Sequence, residues 1–322
     1  MRNILLIGAG RSTSSLIQYL VENAAENNWQ LKIVDQSIEH LSDWLKADCL
    51  SAQKFDVNDS KTRRNLIREA DVVISMLPAH MHLEVAKDCV NFKKHMVTAS
   101  YISDGMRALD EEAKAAGVIL INEIGVDPGI DHLSAMKVID EIRVQGGKVT
   151  AFETFTGGLV APESDDNPWN YKFTWNPRNV VLAGQGGAVK FIQEGTYKYI
   201  PYHKLFRRTE IIDIDEYGKF EGIANRDSLK YRSVYDLEDI QTMYRGTLRR
   251  PGYCRAWDAF VQIGATDDSY TLANSEEMTF REFINLFLPY NPTDSVELKL
   301  RHYLGLAHDD IELFAKLEWL DI

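Results

Sequence analysis

The sequence predicts a doubly wound, parallel α/β domain over residues 1–127, followed by a second domain of α+β type over residues 128–322. Three observations lead there. A short apolar run, Ile4 to Ile7, is followed at once by Gly8-Ala-Gly10 and then by apolar residues at helical spacing, Leu16, Ile17, Leu20, Val21 and Ala24. An acidic residue, Asp35, closes a second apolar run that begins at Gln30. Strand-like runs then alternate with helical patterns as far as Ile121, after which the rhythm breaks.

The first run is apolar without alternation, which suits a strand buried on both faces of a parallel sheet. Gly8 permits a tight turn. Gly10, lacking a side chain, lets the backbone approach a pyrophosphate seated on the N–H groups of the next helix. Arg11, Ser12 and Thr13 complete that turn, and Thr13 stands where a G-x-G-x-x-G pattern places its third glycine. Asp35 lies 22 residues past Thr13, where a carboxylate accepts hydrogen bonds from ribose hydroxyls. The plainer alternative makes the glycines an ordinary left-handed turn and Asp35 a strand-end residue. The β-α-β context favours dinucleotide binding. The Asp35 charge repels a 2′-phosphate and so favours NAD, while Arg11 leaves NADP open.

Ser51 to Val57 reads as the third strand, with Asp56 placed to meet an adenine edge. Asp71 to Pro78 is the fourth, stopped by its proline, His95 to Ser100 the fifth, and Gly117 to Ile121 the sixth. The clearest intervening helix is Met106 to Ala116, with Asp104 as cap and Gly117 as stop. Right-handed crossovers bring the strand C-termini to one edge of a Rossmann-type sheet, and ligands collect outside that edge. It would hold Gly8 to Arg11, Asp35, Leu77, Pro78, Ser100 and Tyr101. Beyond it, turn formers crowd Gly125 to His132, a helix runs on to Gly146-Gly147, and Val149 to Thr156 and Arg208 to Ile214 read as strands. The alternation Trp169, Tyr171, Phe173, Trp175 suits a strand with one aromatic face, packed in a core or across a homodimer interface, or else contacting substrate from a loop. From Thr279 the chain turns helical and acidic.

Composition narrows the function. At 45 % hydrophobic and 26 % charged, the 322 residues support two folded domains and exclude wholesale disorder. A net charge of −12 without a basic block excludes a nucleic-acid partner. The three cysteines, Cys49, Cys89 and Cys254, are far apart and fit no metal spacing, so they read as reduced thiols. No secretory h-region and no membrane-length apolar stretch is found, and the expectation is a cytoplasmic protein without a membrane partner. His80 and His82 follow Pro78 at a helix start, and Asp131 and His132 open another helix beside Asp127. No metal site is expected from them.

Specific wording goes further. Ser100-Tyr-Ile, Asn122-Glu-Ile-Gly-Val-Asp-Pro-Gly-Ile-Asp-His132, Gly157-Gly-Leu-Val-Ala-Pro-Glu163, Asn167-Pro-Trp-Asn-Tyr-Lys-Phe-Thr-Trp175, Asn225-Arg-Asp-Ser228 and Arg245-Gly-Thr-Leu-Arg249 together resemble the saccharopine dehydrogenase family, glutamate-forming branch. The resemblance runs from residue 1 to about 260. It implies a reversible, NAD(P)-dependent condensation of L-glutamate with 2-aminoadipate 6-semialdehyde to saccharopine, in lysine metabolism. Residue by residue, it implies that Ser100 and Tyr101 contact substrate beside the nicotinamide, with Ser100 also touching cofactor. Asp127 matches a substrate-contacting aspartate; Tyr101 and Asp127 fit general acid–base work. Arg226 and the Arg245-Gly246-Thr247 segment match carboxylate-binding positions. Thr156 stands where the family carries a cysteine, and a thiol-assisted step would run differently here. The family's chains are longer at the C-terminus, so the resemblance implies truncation within the second domain. Two other functions fit the same scaffold: a carboxynorspermidine-synthase-like reductive aminase, and a non-catalytic NAD(H)-binding module.

Overall fold

The computed structural model describes residues 1–182, 187–307 and 309–322. The chain divides into two compact units, Met1–Lys137 and Val138–Ile322. In the first, strands β1 (Arg2–Ile7), β2 (Trp29–Asp35), β3 (Leu50–Lys54), β4 (Val72–Ser75), β5 (His95–Thr98) and β6 (Leu120–Ile121) form one parallel sheet in the order β3-β2-β1-β4-β5-β6. Helices α1 (Ser14–Asn27), α2 (Ser60–Glu69), α3 (His82–Asn91), α4 (Asp104–Arg107) and α5 (Asp110–Ala116) supply the crossovers, and α6 (Ile130–Val144) begins after the sheet and runs past Lys137. The doubly wound expectation holds because β1 is apolar on both sides. Leu5 and Ile7 pack with Val34, Leu66, Ile67 and Val85, whereas Ile4 and Leu6 pack with Ile17, Leu20 and Ile33.

One expected helix differs. Met106 to Ala116 is two pieces, and the cap is Ser103, whose Oγ accepts from the Met106 N–H at 3.2 Å, rather than Asp104. Asp110, Glu111 and Glu112 fill the first turn of the second piece, where carboxylates complement the exposed N–H groups of a helix start. That charge pattern favours a fresh start at 110 over continuation. Gly117 ends α5 in the left-handed region, as expected.

The second unit is built on a mixed sheet. Strand β7 (Ala151–Thr156) is followed by helix α7 (Pro177–Val181), the hairpin β8 (Val189–Gln193) and β9 (Thr196–Ile200), helix α8 (Tyr202–Leu205), strands β10 (Glu210–Ile214) and β11 (Gly218–Ala224), helix α9 (Tyr231–Val234) and strand β12 (Thr242–Arg249). The order is β10-β11-β12-β8-β9, with β7 laid parallel on β12. Helices α10 (Tyr253–Ile263), α11 (Phe280–Asn285), α12 (Val296–Leu304) and α13 (Ile311–Glu318) complete the unit. The acidic helical stretch expected from Thr279 begins at a capping box between Thr279 and Glu282.

The aromatic run 169–175 is not a strand. Asn167 Oδ1 accepts from the Trp169 N–H, its Nδ2 donates to the Tyr171 carbonyl, and Asn170 sits at φ 49°, so the chain turns there and breaks the two-residue repeat. Trp169 is buried among Tyr253, Trp257 and Phe260 and donates its Nε1–H to the Lys316 carbonyl at 2.7 Å. Phe173 and Trp175 remain exposed. Among the described residues no helix is long and apolar enough to cross a membrane.

Candidate functional site

The glycine turn after β1 is held by side chains from the end of β2 and from the turn at Glu39–Leu41. Gly8 has φ +95°, and a Cβ there would lie 2.8 Å from the Met76 carbonyl oxygen, so both conformation and space demand glycine. Gly10 opens the other way, since a Cβ on it would meet nothing within 4 Å. Between them, Ala9 is clamped on both sides. Its N–H donates to Asp35 Oδ2 at 2.6 Å, and its carbonyl accepts from His40 Nε2–H at 2.7 Å. Asp35 Oδ1 also accepts from the Ser37 N–H at 3.0 Å. Thr13 fills the third-glycine position while buried, because its hydroxyl turns inward and donates to the Gly10 carbonyl at 2.7 Å. Arg11 and Ser12 remain exposed at the start of α1. A nicotinamide dinucleotide fits this loop: the free space at Gly10 and a helix start that no side chain caps are what a pyrophosphate uses, although the Thr13 N–H is already engaged by the Gly10 carbonyl.

Asp56 lies past the end of β3, exposed, and accepts from the N–H and side-chain amide of Asn58. Leu77 and Pro78 follow β4, where the Leu77 N lies 3.3 Å from the position of a Gly8 Cβ. The dinucleotide loop and the end of β4 are therefore in direct contact.

Past β5, Ser100 and Tyr101 are both half-buried. The Tyr101 hydroxyl donates to Asp127 Oδ1 at 2.6 Å, so two residues 26 positions apart meet. Asp127 sits in a loop closed on itself: Gly125 N–H donates to the Pro128 carbonyl at 2.8 Å, and Ile130 N–H to the Gly125 carbonyl at 2.9 Å. Gly129 is compulsory there, since a Cβ would fall 2.1 Å from the Gly125 oxygen. Asp131 Oδ1 accepts from the Gly129 N–H and steadies the same loop.

Two residues that sequence reasoning passed over brace this corner. Glu123, at φ 60°, donates its N–H to the Ser100 carbonyl at 3.1 Å and accepts the Ile102 N–H on Oε1 at 3.0 Å, so it holds Tyr101 from both neighbours. Its other oxygen lies 3.6 Å from His132 Nε2. His82, weighed above only as a metal ligand, is buried at the head of α3. Its Nδ1 is 2.8 Å from Ser75 Oγ and its Nε2 2.7 Å from Ser100 Oγ. The signal for His82 was its place just after a strand-ending proline, where a helix start faces the sheet edge.

The remaining expected residues belong to the second unit. Thr156 ends β7, half-buried and in register with Thr247 on β12. Gly246 is in register with Ala224 on β11, and the Asn225 N–H donates to the Arg245 carbonyl at 2.8 Å. Arg226, exposed and at φ 49°, is pinned through its carbonyl, which accepts from the Lys190 N–H at 2.9 Å. Ser228 Oγ accepts from the Arg245 N–H at 3.0 Å. The structure therefore places Thr156 and Arg245 to Thr247 on neighbouring strands, with Arg226 in the turn that follows β11. Of the two arginines, Arg226 faces solvent, while Arg245 is 4 % exposed with its guanidinium 4.1 Å over the Tyr231 ring. Among the described residues no group of three or more His, Cys, Asp or Glu side chains could hold a metal ion.

Residues 4–121 match the family model described as the saccharopine dehydrogenase NADP binding domain, and residues 125–317 that of the saccharopine dehydrogenase C-terminal domain. A Pyricularia oryzae protein named saccharopine dehydrogenase (NADP(+), L-glutamate-forming) is 34 % identical over all of this chain and 71 % of its own length. An Arabidopsis thaliana α-aminoadipic semialdehyde synthase is 36 % identical over 80 % of this chain, which spans 24 % of that protein. The solved apo structure of a Saccharomyces cerevisiae saccharopine dehydrogenase (L-Glu forming) superposes with a TM-score of 0.83 at 31 % identity, over all of this chain and 72 % of that one.

Proposed function

The chain belongs to the saccharopine dehydrogenase family, and on that premise we propose that it interconverts saccharopine with L-glutamate and 2-aminoadipate 6-semialdehyde, with NADP preferred over NAD. The observation that carries the reading is the 2.6 Å hydrogen bond between Tyr101 and Asp127, at the end of the same sheet that carries the dinucleotide loop.

Reductive condensation needs a neutral amine, a proton for the departing carbinolamine hydroxyl and an oriented imine carbon. When bound, the nicotinamide supplies the hydride. Asp127 takes the proton released as the amine adds to the aldehyde, and the Tyr101 hydroxyl, already bonded to Asp127, hands a proton to the leaving oxygen. Ser100 holds the substrate by its hydroxyl. Arg226, an exposed residue, binds a substrate carboxylate in bidentate fashion, and the half-buried Thr247 adds a hydroxyl contact. Gly246, buried between β7 and β11, lets the Phe155 and Tyr244 rings pack close rather than touching substrate. Thr156 contributes a hydrogen bond rather than a proton, because a threonine hydroxyl does not ionise near neutral pH.

The preference for NADP departs from the charge argument built on Asp35 alone. Both carboxylate oxygens of Asp35 are engaged by amides of Ala9 and Ser37, so its charge is directed into the loop. Lys54, in register with Asp35, and Arg11 bring exposed positive charge to the same corner. The family's domain and the fungal relative are also named for NADP.

Incubation with L-saccharopine and NADP, then NAD, with nicotinamide reduction followed by absorbance and glutamate assayed directly, tests the proposal. Turnover faster with NADP is the expected result. Tight NADPH binding without saccharopine turnover would leave a dinucleotide-binding protein of another function.

A further inference from the structure

We propose that His82 is a positioning residue that fixes the direction of the Ser100 hydroxyl at the edge where β4 and β5 end. The inference rests on reading Ser100 as a substrate-contacting group. Three elements converge on the ring: Ser75 closes β4, Thr98 closes β5 in register with it, and His82 opens α3. The Nδ1 is 2.8 Å from Ser75 Oγ, the Nε2 is 2.7 Å from Ser100 Oγ, and Thr98 Oγ1 lies 3.4 Å from the same Nε2. Ser100 is also held through its main chain, since its N–H donates to Thr98 Oγ1 at 3.3 Å and its carbonyl accepts from Glu123.

A proton relay is the other role such a row of groups suggests, and the geometry argues against it. Ser75 is fully buried, so the row ends in the core with no path to water. The ring is 3 % exposed and burial keeps it neutral, its pKa lowered to about 4. A neutral imidazole has one donor and one acceptor nitrogen. With Ser75 engaged on Nδ1, Nε2 has a single hydrogen-bonding role to offer Ser100, and that decides whether the outward side of the hydroxyl donates or accepts. Ser100 is itself half-buried rather than sealed in the core.

The test combines His82→Leu, His82→Gln, Ser100→Ala and the His82→Leu/Ser100→Ala double variant, assayed with L-saccharopine and NADP. Loss of one oriented hydrogen bond lowers kcat/KM by about 10- to 100-fold. His82→Gln, whose amide reaches the place of Nε2, should recover most of that loss. The double variant should be no worse than Ser100→Ala within about 2-fold, because the histidine acts through the serine. A purely structural histidine gives losses that add to those of Ser100→Ala and no rescue by glutamine, and that result overturns the proposal. A second arm needs no turnover and no altered histidine. Nitrogen-15 spectra of the His82 ring should show one fixed neutral tautomer in the wild type and a changed Nε2 signal in Ser100→Ala. Identical ring spectra in the two proteins overturn the proposal. Absence of saccharopine turnover in the wild type would instead remove the saccharopine reading, and the ring spectra would still decide whether His82 directs Ser100.

Discussion

Replacing Asp35 by alanine separates two roles for its carboxylate. As a clamp, the carboxylate holds the glycine loop through the Ala9 N–H at 2.6 Å. Ala9 is 2 % exposed, so water does not replace the lost acceptor, and an unmet buried donor costs about 1–3 kcal/mol. The Ser37 N–H is exposed and adds little. A cost of ~2 kcal/mol in ordering the loop weakens dinucleotide binding about 30-fold, and equally for NADPH and NADH, since both share the pyrophosphate. As a charge near the ribose, the carboxylate would act differently. Its removal relieves repulsion of a 2′-phosphate by about 3 kcal/mol per unit charge at ~5 Å and an effective dielectric of ~20, which strengthens NADPH alone. Fluorescence titration of Asp35→Ala with each reduced cofactor distinguishes them. Parallel weakening supports the clamp. Tighter NADPH with weaker NADH refutes it.

Tyr101→Phe, which keeps the ring and removes the proton shared with Asp127, should lower kcat with saccharopine by at least ~100-fold while NADPH binding in fluorescence titration stays unchanged; near-normal turnover would exclude the phenol from proton transfer. His82 stays neutral in the fold down to a pKa of about 4 because it is buried, against 6.5 in the unfolded chain. Between these values the unfolded state binds the extra proton, so stability falls as pH is lowered through this window. Urea midpoints collected across it should show an acid slope about one proton shallower for His82→Leu, and an unchanged slope would mean the native ring titrates normally. Gly8→Ala should cost at least ~2 kcal/mol in chemical denaturation and abolish NADPH binding, since the left-handed backbone and the Met76 carbonyl both oppose a side chain; wild-type stability would contradict the close approach.

The parallel sheet was legible because its signals are local. Ile4 to Ile7 followed by Gly8 and Gly10 states a buried strand and its turn within a few residues, and Pro78 and Gly117 punctuate the rest. The split of Met106 to Ala116 was obscured because apolar spacing continues across residues 108 and 109, while the Ser103 cap and the carboxylates at 110–112 decide the breaks. The aromatic alternation misled for a similar reason. A period of two means a strand only if the backbone stays extended, and Asn167 and Asn170 turn it. At the site, Tyr101 and Asp127 came from family wording, and no spacing rule brings residues 26 apart together. Glu123 and His82 act through folded contacts to Ser100 and its neighbours, which a linear reading does not display.

Strand β12 has neighbours on both sides, β7 in parallel along Thr242 to Thr247 and β11 antiparallel along Gly246 to Arg249. Its amides are therefore among the last in that unit to exchange with solvent deuterium, opening only when the unit unfolds as a whole. Ala151 and Thr242 are 91 positions apart, so this pairing closes a long loop before it gains any contact. On a translating ribosome, β7 waits for β12 to be made. The Arg226 turn, tied to β12 through Ser228 and Asn225, then becomes ordered together with the sheet, and exchange protection at Arg245 reports the integrity of the unit and of that turn at once.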